Sequence, residues 1–208
     1  MLLFKLKILK MKTTSLLRPI SGAFSIIMLS VMSLCSCNDA PKDSKEAATE
    51  MNKPNSDATR ESDERFLVRA AEINFEEIRL GQLAEQKGTE VEVRELAQMM
   101  IQAHTKAKRD LDALASSKGI AVPTAPTDAT ENTYKNLNEK SGRDFDREYC
   151  DKMVSGHKDA IDLFEGATRG NNDPDVKNWA SGTLEELRMH LSHAQSCETK
   201  LKQLADKN

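Results

Sequence analysis

Four segments of the chain carry an inward stripe whose members lie alternately three and four residues apart, a period that amphipathic helices satisfy and strands do not. The first stripe runs Phe66, Ala70, Ile73, Glu77, Leu80, Ala84, and the second Val93, Ala97, Met100, His104, Ala107, Leu111, Leu114. The third is Cys150, Met153, His157, Ala160, Phe164, Ala167, and the fourth Val176, Ala180, Thr183, Leu187, His190, Ala194, Cys197, Leu201, Leu204. The residues between them behave as helix punctuation. Ser62 or Asp63 can cap the first helix, Gly88 can end it, and Thr89 with Glu92 forms a capping box for the second. Gly119 and Pro123 stop the second helix, and the long connection 115–142 has room for a short helix around Asn132 to Lys140. Gly170-Asn171-Asn172 makes a turn, after which Asp173 is a cap and Pro174 a first helical residue. Two tight turns and one longer crossing predict an all-α fold, an up-down-up-down four-helix bundle over residues 62–208.

The same stripes contain four polar, ligand-capable residues: Glu77, His104, His157 and His190. His157 and His190 are equidistant from the Asp173–Pro174 junction, and the other two lie at comparable depth below Gly88. One buried polar layer is therefore expected, and buried polar groups need partners. Two chemistries satisfy such a layer. A hydrogen-bonded His/Glu network would fix helix register, while three imidazoles and a carboxylate would suit zinc, copper or iron. Tyr149, two turns from His157, can join the network or reach water, and His193, one turn beyond His190, is a flanking ligand or a solvated edge residue. The Glu-x-x-His spacing of di-iron bundles is absent: Ile101, Val154 and Leu187 stand three before the histidines.

Residues ahead of this domain read as processing and tether. The first 36 hold five basic residues (Lys5, Lys7, Lys10, Lys12, Arg18) and no acid, followed by an apolar run from Ala23 to Leu34. Such a run is too short to span a bilayer, which takes roughly 20 residues, but suits a signal-peptide core. Leu34-Cys35-Ser36-Cys37 resembles the bacterial lipoprotein cleavage box, predicting a signal peptide over 1–36 and lipidation of Cys37. By resemblance to lipoprotein sorting, Asn38 after that cysteine implies an outer-membrane lipoprotein of the cell envelope, its membrane contact made through the lipid. Residues 37–61 are polar, contain two prolines and lack an apolar period, so they are expected to form a disordered linker.

Removing the signal sharpens the charge balance. Of 30 basic and 33 acidic residues in the chain, 25 and 33 remain, a formal −8 in place of −3. An acidic body lacks the basic footprint that phosphates require, so nucleic acid is excluded as a partner. Of the four cysteines, only Cys150 and Cys197 belong to the folded domain. They too are equidistant from the Asp173–Pro174 junction, so they are placed either for a disulfide or as two buried thiols.

The segments FLVRAAEINFEEIRLGQLA (66–84), VRELAQMMIQAHTKAKRDL (93–111), FDREYCDKMVSGHKDAIDLF (145–164) and LEELRMHLSHA (184–194) resemble the bacterial domain of unknown function 4142. The resemblance covers about residues 63–204, and the family's motif positions fall on Glu77, His104, Asp146, Tyr149, His157 and His190. It implies an exported, ferritin-like helical bundle of the kind labelled outer membrane protein, and no particular activity. Cys150 and Cys197 are a departure from simpler members, so the resemblance implies nothing about their pairing.

No catalytic residue is assigned. The chain has no Gly-x-Ser-x-Gly elbow and no phosphate-cradling glycine loop. Two function classes remain: a non-enzymatic envelope protein with a structural or partner-binding role, its protein partner unidentified, or a metal-binding or metal-dependent redox protein using the Glu/His layer.

Overall fold

In the computed structural model, which describes residues 43–52 and 57–205, every regular element is an α-helix. Residues 1–36, read above as a signal peptide, and Cys37 lie outside the described residues. In chain order the helices are α1 Ser44–Met51, α2 Ala58–Lys87, α3 Val91–Lys118, α4 Asp128–Asn138, α5 Gly142–Arg169 and α6 Pro174–Ala205. The four long ones coincide with the four stripes. Helix α2 packs along α3 and α5 along α6, and the two hairpins meet chiefly through α2 with α5 and α3 with α6. None of the described helices is long and apolar enough to cross a membrane.

The linker expectation needs correction, because residues 44–51 are helical and α2 begins at Ala58, within the stretch read as tether. What holds α1 is polar, which is why an apolar period gave no sign of it. The Ser44 hydroxyl accepts from the Thr124 and Ala125 amides at 3.0 and 3.1 Å. Asn52 exchanges two hydrogen bonds with the Ala121 backbone, and Lys45 reaches the buried Glu72 carboxylate at 3.0 Å. Backbone groups of the 119–127 connection, which would otherwise need water, are satisfied by this short helix.

The caps differ in an instructive way from those expected. Asp57, not Ser62 or Asp63, caps α2 by accepting from Thr59 at 2.9 Å. Asp63 is buried nearly two turns further in, where it accepts from the Asn172 side chain at 2.9 Å and the Asp173 amide at 3.1 Å. It therefore ties α2 to the α5–α6 turn. The Thr89/Glu92 capping box does not form, since the N-cap is Glu90 and its side chain makes no capping bond. Asp146, from α5, caps α3 instead. Its carboxylate accepts from the Thr89 amide at 3.0 Å, from the Glu90 amide at 3.0 Å and from the Thr89 hydroxyl. A negative charge there also complements the positive end of the α3 dipole. Gly119 closes α3 in the left-handed region at φ 63°, a conformation that favours glycine. Asp173 and Pro174 start α6 as the sequence suggests, Asp173 accepting from Asp175 at 2.8 Å. The connecting helix α4 starts and ends earlier than expected, because Thr127 caps it, and Arg79 of α2 pairs with Glu131 at 3.1 Å.

Inside, the apolar residues divide into two clusters. One gathers Phe66, Leu67, Leu111, Phe164, Val176 and Leu187 with the half-buried Trp179 against it. The other gathers Leu80, Val93, Met100, Leu137, Phe145, Tyr149 and Met153. Along each long helix the chain passes from one cluster to the other through a polar position: Glu77, His104, His157, His190. Asp146 is fully buried at the far edge of the second cluster. Asp146→Ala would leave two backbone amides unpaired, and is expected to cost about 3 kcal/mol in chemical denaturation without loss of helical content. A cost below about 0.5 kcal/mol would show that this carboxylate does not carry the α3 terminus.

Candidate metal centre

Three helices deliver one imidazole each to the space between the clusters. His104 of α3, His157 of α5 and His190 of α6 are 3 %, 1 % and 2 % exposed. Their ring centroids form a near-equilateral triangle, 5.6 Å from His104 to His157, 5.5 Å from His104 to His190 and 5.4 Å from His157 to His190. One nitrogen from each ring can be chosen such that all three lie within 4.8 Å of one another.

Which nitrogens those are follows from the hydrogen bonds behind the rings. His157 Nδ1 stands 2.8 Å from the carbonyl oxygen of Met153, one turn back in α5. A carbonyl only accepts, so Nδ1 carries the proton and Nε2 keeps its lone pair. His104 Nδ1 stands 2.9 Å from the Asn74 side-chain oxygen, with the same consequence. Both Nε2 atoms, and both ring nitrogens of His190, are buried without a hydrogen-bond partner among the described residues. Oxygen acceptors that fix the tautomer and aim of an imidazole from behind are the support that metal-binding histidines require.

Burial keeps all three rings neutral. Desolvation, and then the mutual proximity of the rings, drives His104 well below the ordinary histidine value. Desolvation lowers His157 against the opposing bond to Met153. It lowers His190 to about 4, with His157 and His193 adding to the effect. Neutral imidazole is the form that binds metals.

Glu77 stands apart from the triangle. Its Oε1 lies 3.7 Å from His157 Nδ1, behind that ring rather than among the converging nitrogens, and Oε2 has no partner among the described residues. Burial, reinforced by neighbouring Glu76, pushes its carboxyl up to about 8. Tyr149 is fully buried, its hydroxyl unpartnered among the described residues, and burial together with the Glu77 charge raises it well above the ordinary phenol value. His193 is exposed and takes no part in the cluster. Cys150 and Cys197, two turns from His157 and His190, face each other across α5 and α6 with Cα atoms 6.3 Å apart, a separation that a disulfide spans.

Two contributors escaped the sequence reading. Asn74 is buried at 4 % exposure one turn before Glu77, and depth was the available signal. Counted from Gly88 it lies closer to the level of His104 than Glu77 does. The Met153 carbonyl had no signal, because a helical carbonyl is ordinarily occupied by its own ladder.

The layer predicts a dome-shaped pH dependence of stability in metal-free protein. Imidazoles whose folded values are lowered contribute stability that is lost as pH falls below 6.5 towards about 4. Glu77, raised from 4.5 to about 8, binds a proton more readily folded than unfolded, so its contribution is lost as pH rises towards 8. Between pH 6.5 and 8 this costs about 2 kcal/mol. Urea denaturation should show that alkaline decline, and Glu77→Gln should remove it while leaving the acid decline; identical alkaline limbs would refute the assignment.

Three neutral imidazoles converging from three helices can hold a borderline-soft divalent cation, three histidine ligands being a set that leaves a further position open. Among solved structures, the fold is similar to the "Crystal structure of DUF305 fragment from Deinococcus radiodurans", with a TM-score of 0.59 and 16% identity over 72% of this chain and 99% of that chain. No curated protein matches the chain. The sequence model of a family described as "Domain of unknown function (DUF4142)" matches residues 48–197, and the chain belongs to that family.

Proposed function

We propose that this protein is a metal-binding lipoprotein of the bacterial envelope, its long helices an up-down-up-down four-helix bundle of ferritin-like type. The metal is held by His104, His157 and His190. One observation carries the reading: two imidazoles have their Nδ1 protons committed to oxygen acceptors, so their buried Nε2 lone pairs face a third ring with no donor between them. Hydrogen bonds among the described side chains do not satisfy this set. His190, as a neutral ring, has a single N–H to offer, leaving at least one Nε2 orphaned. A cation accepts all three lone pairs. Zinc, copper and iron all suit imidazole donors, and Glu77 lies behind His157 rather than completing the ligand set. The role is binding, and no side chain is assigned to catalysis.

Elemental analysis of the purified full-length protein after challenge with each metal tests the reading. About one ion per chain is expected, lost in His157→Ala. Metal-free protein after challenge, with His157→Ala merely less stable, would overturn it in favour of a structural or partner-binding domain.

The anchor belongs to the same proposal. Cys37 takes the lipid and the acidic domain stays outside the cytoplasm, where Cys150 and Cys197 can oxidise to a bridge between α5 and α6. Intact mass of membrane-extracted protein should show a chain starting at acylated Cys37. It should accept no alkylating label until reduced, then two. A chain starting elsewhere would remove the anchor, and two labels without reductant would remove the bridge.

A further inference from the structure

Charge, room and softness all narrow the ion that the histidine triangle can hold. The converging atoms are imidazole nitrogens alone, with no carboxylate and no thiol in the set among the described residues. Glu77 meets His157 from the Nδ1 side, its Oε1 at 3.7 Å. Cys150 and Cys197 stand two turns away, facing each other. An ion at the three rings would therefore have no anionic ligand. The cost of burying an ion grows with the square of its charge, so a divalent ion costs about four times as much as a monovalent one. Room is equally short. The space bordered by Asn74, His104 and His190 measures about 10 Å3, scarcely enough for one water. Ala70, Ile73, Phe164 and Leu187 complete most of its wall, and Glu186, which also borders it, is half-buried with its charge acting on Lys106. One turn before His104 and His157 stand Met100 and Met153, both fully buried in the second apolar cluster. They bring soft thioethers and no hydrogen-bond donor to that side of the layer.

We propose that the triangle is selective for monovalent copper, held three-coordinate by His104, His157 and His190 and closed off from water. The inference rests on the metal reading above. A zinc ion on three histidines takes a water or another donor as its fourth ligand. Space for one small body does not hold both an ion and the water it carries. Cu(II) takes square-planar or tetragonal sets, which need a further donor that this layer lacks. Cu(I) has a closed shell that accepts three neutral donors, carries the smallest charge of these ions, and tolerates thioether neighbours. The ion enters as Cu(I) and exchanges its previous donors for three imidazole nitrogens, so no electron changes hands.

Competition against chelators tests this selectivity separately from the existence of the site. The full-length processed protein is titrated without oxygen against Cu(I) buffered by bicinchoninate, and in parallel against Zn2+ buffered by a zinc chelator. About one Cu(I) per chain is expected, held at least about a hundredfold more tightly than Zn2+. X-ray absorption of the copper-loaded protein should show three nitrogen donors and no oxygen ligand. A smaller preference for Cu(I), or a fourth ligand oxygen on the copper, would overturn the inference and leave the metal site standing. Cu(I) uptake unchanged in both His104→Gln and His157→Gln would place the copper elsewhere and overturn it as well. Failure of the wild-type protein to bind copper, zinc or iron removes the site, and the selectivity with it. Should the histidine variants lose their helical circular dichroism, the coordination number measured on wild type decides alone.

Discussion

The hydrogen bond from His157 Nδ1 to the Met153 carbonyl decides which nitrogen of that ring is free, and the rest of the polar layer is arranged around the consequence. With Nδ1 committed, Nε2 points into the space shared with His104 and His190. Asn74 makes the same commitment for His104. Each orphaned lone pair costs about 1–3 kcal/mol in an apolar surround. A chain that only needed to fill this level would do better with leucine. The polar layer is therefore a cost to the fold, and the fold's stability is supplied elsewhere.

Elsewhere means the two apolar clusters that flank it. Phe66 meets Phe164 and Trp179 edge-on at one end, with Phe66 and Phe164 centroids 5.0 Å apart. At the other end Phe145 and Tyr149 stack in parallel beside the Cys150–Cys197 pair. Both clusters draw on all four long helices, so each fixes the relative heights of α2, α3, α5 and α6 on its own side of the layer. Register errors that would separate the imidazoles are opposed from above and below. Asp63 and Asp146 do the same at the two ends, each carrying a buried carboxylate from one hairpin to the turn of the other.

Much of this was legible in the sequence because helical period and turn position are local facts. Residues equidistant from a tight turn meet across a hairpin, and so His157 faces His190 and Cys150 faces Cys197. Legibility failed where a side chain acts outside its own helix. Thr89 and Glu92 have the spacing of a capping box, yet the amides they would cap are taken by Asp146, which lies 57 residues from Thr89 in sequence. Residues 44–51 lacked an apolar period and read as tether, yet hydrogen bonds to the 119–127 connection hold them as a helix. Glu77 lies on its stripe near the histidines' level, and only the direction of its carboxylate, towards the back of His157, sets it apart from the three converging rings.

That direction also explains why Glu77 and the histidines respond to burial with opposite sign without conflict. Burial suppresses charge in both: it lowers the imidazoles and raises the carboxyl, so near neutrality the layer holds neutral rings beside a carboxyl lifted to about 8. A net charge of zero is what the two apolar clusters tolerate. A divalent cation at the three rings would reverse that balance, since it repels imidazolium and favours carboxylate. Placing the ionisable oxygen behind His157, rather than among the converging nitrogens, lets the layer stay uncharged and would keep counter-charge within reach of a bound cation.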